Sequence, residues 1–273
     1  MYENLNLYIR GDWRNSSNQK TKPVTNPSTE EEIGTAAIAS IEDIEESIVS
    51  AKDGLSIWRD TGTWERAAII RKVSELIRER KTVIANLMSL ETGKPLAESL
   101  GETIAAADQF EWYSEETKRI YGQIIEARTS DSRMAVIFQP VGVVAAFSAW
   151  NFPALLPARK IAVALAAGCS IIIKPAGETP ACCAALIQAC HDAGLPSGVV
   201  NMLTGNSDQI AKQLIASPIV KKVSVTGSVP IGKHILGLAA QSVKKVSMEL
   251  GGHGPVIIFD DYSFTSLIFL RKI

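Results

Sequence analysis

The sequence carries almost no excess charge of either sign: 28 Lys and Arg stand against 29 Asp and Glu, a formal net charge of -1. A protein that grips nucleic acid along its phosphates, or lies on an anionic membrane, needs a one-signed field, so this balance argues against both and favours a small partner. Cysteine is scarce and confined to one short apolar stretch, at Cys169, Cys182, Cys183 and Cys190. None has the paired spacing with His191, His234 or His253 that would assemble a zinc site, and all four read as small core hydrophobes in a reducing, cytoplasmic compartment. Long apolar runs are missing as well. The 161–173 stretch is short and interrupted by Gly168 and Ser170, which fits a buried element and not a bilayer span. The first fourteen residues carry acids, asparagines and Trp13 where a secretory signal would have a basic start and an apolar run. What is present is ample for a core: 46% of the 273 residues are hydrophobic, enough for one large or two modest domains.

Periodicity divides the chain into two regimes. A polar lead segment ends at the turn cluster Asn26-Pro27-Ser28-Thr29. Ser40 and Asp43 then have capping-box spacing ahead of Ile41, Ile44, Ile48, Leu55 and Trp58, which predicts an amphipathic helix. Thr63 is the expected cap of a second helix that continues or restarts towards the Thr92-Gly93-Lys94-Pro95 break, and Pro95 suits the first turn of a third, reaching about Lys118. Residues 123–127 and 134–139 flank a polar turn and read as a hairpin. From Val141 onward short β-rich runs alternate with helical patterns: strands at 141–147, 170–174, 199–203, 222–226 and 244–249, helices at 153–167, 180–193, 207–216 and 231–240. That alternation predicts an α/β fold with a parallel sheet covered by helices on both faces.

Ligands of such a sheet bind beyond the carboxyl ends of its strands, so the residues that follow each strand are the ones to inspect. They are Ser148-Ala149-Trp150-Asn151-Phe152-Pro153, Lys174-Pro175-Ala176-Gly177-Glu178, Thr226-Gly227-Ser228 and Glu249-Leu250-Gly251-Gly252. A buried amide at Asn151 can donate to an oxygen that becomes negative when a carbonyl is attacked, although a turn or capping asparagine has the same look. Glu249, beside two glycines, has room to swing a carboxylate towards a water, and a solvated glutamate is the plainer alternative. Gly227, Ser228 and Gly232 bracket a helix start whose free amides favour an anionic phosphate, as many structural turns also do. Arg159, eight residues after Asn151, falls two turns along and roughly 80° around a helix counted from there; an exposed position beside Lys160 is equally compatible with that spacing.

Taken together, in this order and at these separations, the four motifs resemble the N-terminal half of the NAD(P)-dependent aldehyde dehydrogenase superfamily, from about Leu7 to Asp261. The stretch from Glu111-Trp112-Tyr113 through Arg119-Ile120-Tyr121-Gly122 is similar to the succinate-semialdehyde and related oxo-acid semialdehyde dehydrogenases. The resemblance implies an oxyanion-stabilising role for Asn151 and a general-base role for Glu249. It implies cofactor contacts from Ser148, Ala149, Trp150, Lys174, Gly227, Ser228 and Leu250, and a substrate-carboxylate contact from Arg159. It implies NAD or NADP as cofactor and a small aldehyde as substrate, with no nucleic-acid, membrane or metal partner. The chain departs from the family in two places. Gly177 stands where many NAD-preferring relatives place a glutamate three residues after the lysine, which leaves room for a 2′-phosphate. Ala149 stands for the proline usual before Trp-Asn, a change in turn stiffness.

The family's mechanism needs a thiolate nucleophile a few dozen residues after the base glutamate, and no cysteine follows Cys190. After Asp260-Asp261 the chain continues as Tyr262-Ser263-Phe264-Thr265-Ser266, where relatives have an acidic, alanine-rich helix. The expected organisation is therefore an N-terminal helical part of the cofactor-binding domain at 1–120 and an oligomerisation-type hairpin at 121–139. A dinucleotide-binding α/β core follows at 140–250, and 251–273 is a truncated start of the catalytic domain with an aberrant tail. Relatives form dimers or tetramers through surfaces partly lost here, and the hairpin would keep an unpaired edge. Two readings follow: an aldehyde dehydrogenase polypeptide inactive by itself, or a noncatalytic dinucleotide-binding or interaction fragment.

Overall fold

The computed structural model describes residues 4–255 and 257–260. The tail after Asp261 lies outside the described residues. Four short strands precede the first helix: β1 (Leu7–Ile9), β2 (Asp12–Arg14), β3 (Thr21–Thr25) and β4 (Glu32–Ala37). The lead segment is thus not the plain polar stretch expected from sequence. Strands of three to six residues are too short to show a convincing alternation, and these depend on pairing partners far away in sequence: β1 lies antiparallel to β2 and to a strand some 190 residues later, with Tyr8 opposite Met202.

The helical layer follows as α1 (Ile41–Asp60), α2 (Thr63–Glu79), α3 (Lys81–Thr92) and α4 (Leu96–Glu116). The capping box is present. Ser40 Oγ accepts from the Asp43 amide at 3.2 Å, and Asp43 Oδ2 accepts from the Ser40 amide at 2.9 Å. Two other expected starts are corrected by one residue each: Thr63 opens α2 as its first helical residue after an N-cap at Gly62, and Pro95 is the N-cap of α4 instead of part of its first turn. Neither helix start has a side-chain cap of its own. Gly93 closes α3 at φ 72°, a left-handed conformation that glycine takes without strain.

The hairpin is β5 (Gln123–Ile125) and β6 (Met134–Val136), exposed at all six positions. Alternation then runs β7 (Val143–Phe147), α5 (Leu155–Ala166), β8 (Ile171–Lys174), α6 (Pro180–Asp192), β9 (Val200–Met202), α7 (Ser207–Ala216), β10 (Val220–Gly227), α8 (Val229–Ala240) and β11 (Lys245–Leu250). The sheet order is β11-β10-β7-β8-β9-β1-β2. Five strands are parallel, as expected, and the β1–β2 pair adds an antiparallel edge.

Alternate residues of β7 feed two cores, one on each face of the sheet. Val144 and Ala146 point into the layer of α2 to α6 with Ile70, Ile84, Phe110, Leu165 and Ile187. Val143, Ala145 and Phe147 point into the layer of α1, α7 and α8 with Ile44, Leu214 and Ile235. The chain steps from β7 outward to β8 and β9, then crosses back to place β10 on the other side of β7. That reversal is where an open parallel sheet leaves a crevice at its carboxyl edge.

At the approach to β9, α1 packs backbone to backbone. A Cβ on Gly54 would strike the Gly198–Val199 peptide, and one on Gly198, which has φ +82°, would strike Ser50. Alanine normally improves a helix interior by about 1 kcal/mol over glycine. Here Gly54→Ala is expected to lower stability instead, by on the order of 1–3 kcal/mol through overpacking against backbone that cannot yield. A fall in the thermal unfolding midpoint relative to the parent chain checks this, and a rise would contradict it.

Candidate functional site

The crevice is a cleft of about 730 Å³ walled by the segments after β7, β8, β10 and β11. Every expected catalytic and cofactor residue lines it: Ser148, Ala149, Trp150, Asn151, Lys174, Gly227, Ser228, Glu249 and Leu250. Register explains the convergence. Phe147 sits opposite Lys174 and Thr226 opposite Glu249, so neighbouring parallel strands deliver their motifs to one edge.

Asn151 is exposed, not buried as expected, because it stands on the lip of the loop between β7 and α5. Its carbonyl accepts from Lys94 Nζ at 3.0 Å, and the same ammonium lies 4.3 Å from the centre of the Phe152 ring. Lys94 is ion-paired with the buried Glu102, whose other oxygen accepts from the amides of Ala154 and Leu155 at 3.0 and 3.1 Å. A carboxylate from α4 therefore caps α5, which has no side-chain cap of its own, and fixes the loop that carries Asn151.

Glu249 is exposed too, and its Oε2 accepts from Thr226 Oγ1 at 2.9 Å. Gly227 and Ser228 lead into α8; Ser228 is its N-cap without a side-chain bond, and a Cβ on Gly227 would just touch Ile231 Cγ2 at 4.0 Å. Pro230 has no N–H, so the amides left for an anion at the start of α8 are those of Val229 and Ile231. Gly232 lets α8 settle on β11, since a Cβ there would meet the Leu250 side chain. The Ser148 hydroxyl is buried without a hydrogen-bond partner, while its amide donates to the Lys174 carbonyl at 3.2 Å. An orphaned hydroxyl, open helix amides and a basic strand end fit a phosphorylated ligand.

Lys174 is buried, and burial brings its ammonium down to about 8, with Glu178 opposing the shift and Lys22 adding to it. Lys160 is also brought down to about 8 by burial, against the opposing charge of Glu249. Its Nζ donates to Ser224 Oγ at 3.1 Å. Sequence reasoning looked past Lys160 to Arg159. In the structure Arg159 is exposed and Lys160 is buried, and neither lines the cleft. An angular count from Asn151 does not apply over 151–154, which are not helical; α5 begins at Leu155. The apolar neighbours Ala158, Ile161 and Ala162 were the available signal that this face is inward. Lys22, Gly205 and Ser207 also line the cleft without a sequence motif to announce them.

None of the cysteines does. All four are free and buried, and burial pushes their thiols up, Cys190 to about 12. Among the described residues no three His, Cys, Asp or Glu side chains gather to hold a metal ion, and no helix is long and apolar enough to cross a membrane.

The family profile described as "Aldehyde dehydrogenase family" matches residues 13–268. The chain belongs to the aldehyde dehydrogenase family. It is 44% identical over 254 residues to a glutarate-semialdehyde dehydrogenase of Pseudomonas putida, covering 93% of this chain and 53% of that one. It is 43% identical over 253 residues to the succinate-semialdehyde dehydrogenase of Escherichia coli whose name specifies NADP(+), covering 93% and 52%. A crystal structure of an E. coli NADP-dependent enzyme superposes with a TM-score of 0.92 at 42% identity, covering 94% of this chain and 54% of that one. This aldehyde dehydrogenase chain spans about half the length of the curated relatives it matches.

The lowered Lys160 ammonium has a signed consequence. Its folded pKa lies below its unfolded value, so the buried charge costs stability at neutral pH and that penalty is relieved as pH rises from about 8 towards 10.5. Lys160→Met is expected to stabilise the chain at pH 7 by on the order of 1–3 kcal/mol, with the gain shrinking above pH 9. Denaturant unfolding of both proteins across pH 7 to about 10 checks this.

Proposed function

We propose that this chain forms the cofactor-binding part of an NAD(P)-dependent aldehyde dehydrogenase acting on a small oxo-acid semialdehyde. The observation that carries the reading is the sharing of one cleft by Asn151, Glu249, Lys174 and the amides at Gly227-Ser228. Asn151 is proposed to donate its side-chain amide to the oxyanion formed when the aldehyde is attacked. Glu249, held by Thr226 and facing the ammonium of Lys160, is proposed as the base that takes a proton from water. Ser148, Ala149, Trp150, Lys174, Gly227, Ser228 and Leu250 are the proposed cofactor contacts, with α8 receiving the phosphates. The bound nicotinamide would supply a hydride acceptor; the chain's own residues bind, orient and move protons. Succinate or glutarate semialdehyde is the proposed substrate class, from the names of the relatives. Arg159, exposed and outside every ion pair among the described residues, is the proposed anchor for the substrate carboxylate.

The proposed division has 140–250 as the dinucleotide-binding core, 1–120 as its covering layer, 121–139 as an oligomerisation hairpin and 251–273 as the start of a catalytic domain, in a cytoplasmic protein. The buried state of all four cysteines favours a second, narrower reading: binding without turnover, since no thiol of this chain reaches the cleft.

Trp150 is 59% exposed on the cleft wall and so reports on occupancy. Titration with NAD and NADP is expected to give a saturable fluorescence change that Trp150→Phe abolishes. Succinate semialdehyde with either cofactor is expected to yield no reduced nicotinamide at a rate scaling with the chain's concentration. Absence of any saturable response removes the cofactor reading, and scaling turnover removes the prediction of inactivity alone.

A further inference from the structure

The loop between β7 and α5 carries Trp150 and Asn151 and has few ties of its own. At one end the Ser148 amide donates to the Lys174 carbonyl at 3.2 Å, and at the other the Phe152 carbonyl accepts from the Leu156 amide at 3.1 Å. Between them, over Ala149, Trp150 and Asn151, the described residues show one hydrogen bond: Lys94 Nζ donates to the Asn151 carbonyl at 3.0 Å. The side-chain amide of Asn151 has no partner among the described residues, so its aim depends on how its backbone is held.

Lys94 is itself fixed at both ends. Its backbone follows the left-handed Gly93 that closes α3, and its amide donates to Thr92 Oγ1 at 3.0 Å, while that hydroxyl donates to the Met88 carbonyl at 2.6 Å. Its ammonium pairs with Glu102, whose side chain is 3% exposed, and lies 4.3 Å from the centre of the Phe152 ring. A lysine anchored in this way has already given up the rotamer freedom that a solvated lysine keeps, so its bond to Asn151 adds a fixed point and not a passing surface contact. Resting on the oxyanion and cofactor roles proposed above for this loop, we infer that Lys94 is a positioning residue. Through the Asn151 carbonyl it holds the Asn151 amide and the Trp150 indole at the cleft lip in the geometry that receives aldehyde and cofactor.

The tasks of Lys94 and Glu102 can be separated, because a glutamine keeps the Oε1 acceptor that takes the Ala154 and Leu155 amides. In Lys94→Met/Glu102→Gln no charge is left buried and unpaired and α5 keeps its acceptor; what is lost is the hold of the ammonium on Asn151 and Phe152. The readouts, taken on the full chain, are the nitrogen–proton heteronuclear NOE of the Trp150 indole, assigned by its loss in Trp150→Phe, and titration with NAD and NADP. The double variant is expected to lower the NOE of Trp150, to leave that of the buried Trp58 indole unchanged, and to weaken NAD and NADP alike by about tenfold. Lys94→Arg, which keeps a cation and its N–H donors, should hold both readouts near those of the parent. An unchanged Trp150 NOE in the double variant, a fall shared by Trp58, affinities within about twofold of the parent, or an arginine variant as loose as the double variant overturns the assignment. If the parent chain binds neither NAD nor NADP, the cofactor reading falls, and the NOE alone decides the role of Lys94.

Discussion

Glu102 reaches from α4 to the first turn of α5, where one oxygen takes the amides of Ala154 and Leu155 and the other pairs with Lys94. Glu91, on α3, does the same for α6, accepting from the amides of Ala181 and Cys182 at 2.7 and 3.4 Å. Neither α5 nor α6 has a side-chain cap of its own. Buried amides at a helix start must find an acceptor, and the helix dipole makes a carboxylate the best one available. The sequence supplies both carboxylates from the N-terminal helical layer. That layer is therefore more than a cover for the sheet: it supplies the acceptors for the first amides of α5 and α6, the helices that follow the Asn151 loop and the Lys174 strand end.

The chemistry of the cleft follows from uneven exposure on one edge. Asn151 and Glu249 are exposed where they line the cleft. Lys160 and Lys174 are buried, and burial brings the ammonium group of each down to about 8. For each lysine one carboxylate opposes the shift, Glu249 for Lys160 and Glu178 for Lys174, and neighbouring cations add to it, Lys222 and Arg159 for the first and Lys22 for the second.

The motifs were legible because each sits at or just beyond the carboxyl end of a strand, as at 143–147 and 171–174 where the apolar run is unmistakable. The capping box at Ser40 and Asp43 was equally plain, being a local device with a fixed spacing. Illegible elements share another property. The strands β1 to β4 are stabilised by partners far along the chain, and the inward turn of Lys160 depends on where α5 begins. Lys22 carries no local signal, because it enters the cleft through the pairing of β3 with β4.

By itself the sequence determined the alternation of strand and helix, the cleft-edge motifs and their family, since hydrophobic period and short-range spacing are local properties of the chain. Only the tertiary structure decided that Lys160 and not Arg159 turns inward, that Glu91 and Glu102 cap helices they are remote from, and that Lys22 reaches the cleft. Those facts depend on the order of strands in the sheet and on the rotation of each helix about its axis. Both are set by packing across long sequence separations, where no local pattern reaches.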